Sequence, residues 1–215
     1  MTSKPVPLVE IHRGPFLECT HSGHVAISDA SGQIVDVWGD AGAVVLPRRW
    51  VEMIRALRVI TSGAAAARGL GDAQLALACA SHQGAPEHVA AVNAWLADLG
   101  LSDGDLRCGT QTSRDPDLRA QMIKADQSPC QVHNNCSGKH TGFLTLAQHM
   151  GAGPEYIDPD HPVQIAVRRV FEDVTGEDSP GFGIDGCSAP NFAASLAGLA
   201  RAMGRFAGAA AGGSA

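Results

Sequence analysis

The densest chemistry in the chain lies at His133-Asn134-Asn135-Cys136-Ser137-Gly138-Lys139-His140, where two imidazoles, two amides, a thiol and an amine crowd around one glycine. Cys136 and Lys139 stand three residues apart, so a helix through them carries both on one face. A helix N-terminus lowers a cysteine pKa, which suits Cys136 to be a nucleophile or a metal ligand. Lysine ligates a metal only when neutral, which requires a buried or cation-rich place. Cys187 closes a glycine-rich run, Gly181 to Cys187, beside Asp185, and is the candidate third ligand. Two thiolates suit zinc, with water in an open fourth position. The plainer reading makes Cys136 and Cys187 small buried hydrophobes, and spacing alone does not separate the two.

Gly138-Lys139 is not part of a phosphate loop, because that motif needs glycine at position 133 and Ser or Thr at 140, where this chain has two histidines. Ser81, in Ser81-His82-Gln83-Gly84, is a nucleophile if a base comes within reach and a helix-capping serine otherwise. A Ser-x-x-Lys pair would be more telling. None exists: Met1, Gln121 and Cys136 stand three residues before the three lysines.

These residues need a scaffold, and 215 residues that are 45% hydrophobic suffice for one sizeable core. A net charge of -6 argues against a nucleic-acid footprint. No apolar run approaches the ~18 residues of a membrane span. The N-terminal stretch lacks a signal-peptide core, and the six cysteines lack disulfide-scaffold spacing, so a cytoplasmic address is expected. Strands are expected at 7–10, 25–28 and 33–38, the last two joined by a hairpin turn at Asp29 to Gly32. Helices are expected over 47–62, 73–80, 86–99, 115–125, 143–150, 162–175 and 191–206, with an alanine and glycine connection at 63–71. Residues 207–215 read as a low-complexity tail after a single domain over 1–206. Helices outnumber strands, which favours an α/β fold with a mixed sheet covered by helices.

Three stretches in the same order resemble the bacterial type II asparaginase family of the Rhizobium etli inducible kind: Leu75 to Pro86, His133 to Gly142, and Asp185 to Pro190. Glu18, His21 and Gly23 resemble its N-terminal hairpin, and the likeness runs from about Val9 to Phe206. The resemblance implies a serine β-lactamase-like α/β fold and hydrolysis of L-asparagine to aspartate and ammonia. It implies zinc held by Cys136, Lys139 and Cys187, a serine of the second serine–lysine pair at Ser81, and Arg48, His140 and Asp185 near the substrate. Aspartate and arginine together would hold an amino-acid zwitterion by charge-assisted hydrogen bonds.

The departures are as specific. Where the family has Pro-Arg-Ser-Ser-Ala-Lys-Pro, this chain has Pro47-Arg48-Arg49-Trp50-Val51-Glu52-Met53. Arg49 replaces the nucleophilic serine and Glu52 the lysine, while Leu46, Ala56, Leu57, Ser62 and Gly63 keep the alignment in register. The lysine that pairs with Ser81 in the family would lie beyond residue 215, so the C-terminal part of the fold is expected to be missing. The expectation is an asparaginase-family amidohydrolase of weak or lost activity that takes a small amino-acid amide; a homodimer is compatible with it. The alternatives are a zinc-binding pseudoenzyme or truncated relic, and a globular domain whose motifs are structural.

Overall fold

The computed structural model describes residues 4–209. In chain order the elements are β1 (Val6–Arg13), β2 (Phe16–Gly23), β3 (Val25–Ser28), β4 (Ile34–Trp38), β5 (Val44–Val45), α1 (Glu52–Thr61), α2 (Ala64–Arg68), α3 (Asp72–Cys79), α4 (Pro86–Asp98), α5 (Pro116–Lys124) and α6 (Ser137–His149). After them come α7 (Pro162–Thr175), β6 (Phe182–Ile184), β7 (Pro190–Phe192), β8 (Ala194–Ser195) and α8 (Leu196–Ala209). The architecture is mixed α/β. The described strands form four separate two-stranded pairings, β1–β2, β3–β4, β5–β8 and β6–β7, where the sequence led us to expect one mixed sheet. No helix among the described residues is long and apolar enough to cross a membrane.

The chain divides into two compact units. Of the described residues, the first holds 4–47, Glu172–Gly181 and 192–209. Its hairpin of β1 and β2 is antiparallel, turning at Gly14, whose φ of 59° suits a residue without a Cβ. The β3–β4 hairpin turns where Asp29 expected it: its Oδ1 accepts from the Ser31 and Gln33 amides and from the Ser31 hydroxyl. Helix α8 packs on β3 through small residues, since a Cβ at Gly204 would lie 2.2 Å from the Asp29 carbonyl oxygen. The helix expected over 191–206 starts five residues later, because β7 and β8 occupy its front. Of the tail expected at 207–215, Ala207 to Ala209 finish α8 and residues 210–215 lie outside the described residues.

The second unit, Arg48–Phe171 with Phe182–Asn191, is built around α6. Every residue of α6 from Ser137 to Ala147 is buried, so polar and apolar sides alike face protein. The sequence suggests a helix only from 143, because the stretch from His133 to Gly142, with Ser137 and Thr141, looks too polar for a core; Thr145 is the one hydroxyl inside the expected helix. Their hydroxyls are satisfied inside: Thr141 donates to the Ser137 carbonyl and Thr145 to that of Thr141, both at 2.9 Å. Around α6 pack Ile54 and Val59 of α1, Leu77 of α3 and Trp95 of α4, all buried. Helix α3 lies so close that a Cβ on Gly138 would sit 2.5 Å from the Leu77 carbonyl oxygen. The 63–71 connection contains the short helix α2, bounded by Gly63 and Gly69 in left-handed conformation.

Candidate functional site

The crowded motif is folded by its own side chains. Asn134 Oδ1 accepts the Cys136 amide at 2.9 Å, and the Asn134 carbonyl accepts Ser137 N at 2.9 Å, which starts α6 just after Cys136. Asn134 Nδ2 anchors this turn to the Gly109 carbonyl at 2.8 Å. The loop after α3 runs against it: His82 N donates to the Asn135 carbonyl, and Gly84, at φ 67°, lies where a Cβ would be 2.7 Å from the His133 carbonyl oxygen. Asn135 Nδ2 donates to Ser81 Oγ at 2.7 Å and approaches Cys136 Sγ at 3.5 Å, so Ser81 and Cys136 share a partner.

Cys136, Lys139 and Cys187 come together as their spacing and the resemblance suggested. Lys139 Nζ donates to Cys187 Sγ at 3.3 Å, and the Cys136 thiol hydrogen-bonds to the same sulfur. That hydrogen bond holds the Cys187 pKa well below the thiol range, with burial opposing and His140 and Lys139 assisting. The same bond, with burial, drives Cys136 above its ordinary value. The two sulfurs therefore share one proton and titrate as a pair.

Glu52, the first residue of α1, changes the role of Lys139. Its Oε1 accepts from Lys139 Nζ at 3.1 Å, and both side chains are almost wholly buried. Burial works against a charge on Lys139, but the Glu52 carboxylate and the two sulfurs outweigh it and leave its pKa above the ordinary value. An ammonium donating to Glu52 and Cys187 has no lone pair for a metal. Among the described residues no three His, Cys, Asp or Glu side chains gather as a metal-ligand set. As arranged, the three groups do not fit a zinc ion that has Lys139 as a ligand.

Two arginines hold Asp185, and one of them, Arg55, also reaches Glu52 beside the sulfur cluster. Arg55, buried on α1, lies 3.4 Å from Glu52 Oε1 and 3.5 Å from Asp185 Oδ2, and donates to Asn191 Oδ1 at 3.0 Å. Arg48 Nε lies 3.2 Å from Asp185 Oδ1. Its backbone has φ 52°, a conformation a side-chain-bearing residue rarely adopts, and its amide donates to Asn191 Oδ1. A cavity of about 190 Å³ opens beside these groups, entirely within the second unit. Arg48, Asp185, Cys136, Cys187 and Glu52 line it, with Asn134 and Asn135 from the motif turn. Arg49, Gln111 and Arg114 complete the charged and polar wall.

The other expected residues stand further off. Ser81 is half-buried and reaches the cavity through Asn135; among the described residues that amide is its only side-chain hydrogen-bond partner, and Lys139 is engaged elsewhere. His140 is fully buried behind the wall, its Nδ1 2.9 Å from the Tyr156 hydroxyl. The hydroxyl also accepts the Arg107 amide at 2.6 Å, and the imidazole tautomer sets which of hydroxyl and Nδ1 donates; the other ring nitrogen is Nε2. Among the described residues that nitrogen has no hydrogen-bond partner of good geometry, yet burial lowers the His140 pKa while the nearby Cys187 sulfur opposes the shift. His82 is buried too. Its Nδ1 accepts from the Gly84 amide and its Nε2 meets Ser137 Oγ at 2.9 Å, which makes it a brace between loops. Arg55, Tyr156 and Asn191 were not singled out in sequence; the i, i+3 spacing of Glu52 and Arg55 was the one signal available.

No curated protein sequence matches the chain. The sequence model of the L-asparaginase II family matches residues 9–215, nearly the whole length. On that match, the chain belongs to the L-asparaginase II family.

Proposed function

We propose that the cavity binds a small amino-acid amide of the L-asparagine class and hydrolyses it slowly. The observation that carries this is the Arg48–Asp185 pair on the wall of a cavity whose floor holds two sulfurs, in a chain of this family. Asp185 receives the ammonium end of the ligand and Arg48 its carboxylate, by charge-assisted hydrogen bonds. The side-chain amide then points at Cys136 and Cys187.

Slow turnover follows from what stands at the nucleophile positions. Arg49 offers no nucleophile, and Glu52 is an ion-pair partner of Lys139. Among the described residues Ser81 meets an amide and no base, and an unassisted hydroxyl is a poor nucleophile at pH 7. The remaining route runs through sulfur. Cys187 Sγ attacks the amide carbon, the C–N bond breaks, and the departing ammonia takes the proton of the Cys136 thiol. Water then adds to the thioester carbonyl, the C–S bond breaks, and the proton of that water returns to Cys136. Ammonia release from L-asparagine by the full chain tests this. Turnover should lie well below the roughly 10 per second of a median enzyme and vanish in Cys187→Ala. Turnover near that median, or turnover untouched by Cys187→Ala, would show that another group carries the reaction.

A further inference from the structure

Two arginines on the cavity wall are left without a counter-charge. Arg49 and Arg114 line the cavity and are exposed, and neither guanidinium makes a hydrogen bond or ion pair among the described residues. The carboxylates beside them are already met. Glu52 faces Lys139 at 3.1 Å and Arg55 at 3.4 Å, and Asp185 faces Arg48 at 3.2 Å and Arg55 at 3.5 Å. The cavity is thus a positive spot on a molecule whose net charge is -6. A concave wall backed by protein focuses such a field on a bound anion, and a guanidinium fork matches a carboxylate in shape as well as charge.

A neutral amino-acid amide brings one carboxylate and one ammonium, which Arg48 and Asp185 answer. It leaves Arg49 and Arg114 facing water. An amino acid with a second carboxylate answers them as well. We propose that the cavity takes a dicarboxylic amino acid of the L-aspartate class in preference to the corresponding amide, with Arg49 and Arg114 receiving the second carboxylate. This rests on the reading that the cavity holds an amino acid at all. It makes the acid, which is the product of amide hydrolysis, the better-held ligand, so that the site retains product.

Calorimetric titration of the full chain with L-aspartate, L-asparagine and succinate decides the matter. L-Aspartate should bind at least about threefold tighter than L-asparagine, as expected of exposed charge pairs. The margin should shrink as salt is raised and disappear in the Arg49→Gln/Arg114→Gln double variant. Both side chains are exposed, so that variant should melt at the wild-type temperature, which the same preparation checks. L-Asparagine binding as tightly as L-aspartate would overturn the inference while leaving the amino-acid cavity intact. A preference that survives in the double variant overturns the assignment to Arg49 and Arg114. Succinate binding as tightly as L-aspartate would reduce the site to a bare anion hole and overturn the amino-acid class. Failure of both amino acids to bind overturns the proposed function and this inference together.

Discussion

At the scale of single residues, the placement of Glu52 decides more than any other. The Glu52–Lys139 contact is buried on both sides, and a buried ion pair that loses one partner leaves a costly bare charge. Here the Glu52 carboxylate also meets Arg55, so replacing it by an amide keeps the shape while easing the hold on the Lys139 proton. Glu52→Gln should therefore raise zinc affinity on the order of tenfold, because an opposite charge at this distance commonly shifts a pKa by one unit or more. Competition against a chelating dye reads this without reference to turnover. A fall in affinity would mean that Glu52 is itself a ligand, and the argument for Lys139 as a locked ammonium would collapse.

At the scale of elements, the close approach of α3 to α6 sets where Cys136 and Lys139 sit. A methyl on Gly138 would meet the Leu77 carbonyl oxygen at 2.5 Å and the Leu77 side chain at 2.6 Å, so the helices must part. One turn on, a Cβ at Gly142 would find Ala78 at 3.5 Å, an ordinary contact. Gly138→Ala should cost about 1–3 kcal/mol, the range for overpacking. Gly142→Ala should be neutral or gain about 0.5–1 kcal/mol from helix propensity. Urea unfolding of both variants tests the contrast, and equal effects would show that α3 does not constrain α6.

The same elements show what the sequence could disclose. The i, i+3 pair of Cys136 and Lys139 and the glycine run before Cys187 are local patterns, and the structure brings them together. Strand β2 was legible only through the hairpin that Glu18, His21 and Gly23 resemble, because Glu18, Cys19, Thr20 and His21 show no alternation, and α2 was hidden because four alanines between glycines read as a linker. The link from Arg48 and Arg55 to Asp185 spans well over a hundred residues, and neither helical nor strand periodicity encodes such a pairing. His140 was placed beside the substrate by resemblance, whereas its surroundings are Tyr156, Phe143 and the back of the sulfur cluster.

At the scale of the whole molecule, the buried histidines tie folding to pH. His82 is 4% exposed, and its two ring nitrogens are bound to Gly84 N and Ser137 Oγ. Burial, with His88 stacked at 5.1 Å, lowers its pKa from 6.5 to about 4. The folded pKa is below the unfolded one, so the unfolded chain takes up the proton first as the solution is acidified. The stability due to a neutral His82 is fully present above pH 6.5 and is lost as pH falls towards about 4. One proton is worth about 1.4 kcal/mol per pH unit, so the loss reaches about 3 kcal/mol over that window. His140, shifted in the same direction, adds to the slope. Urea unfolding at pH 7.5, 5.5 and 4.5 should show the midpoint falling steeply, and His82→Gln should start lower but fall less. Parallel pH profiles for wild type and His82→Gln would mean that protonating His82 does not oppose folding, and that the brace between the loops at 82 and 137 accommodates a charge.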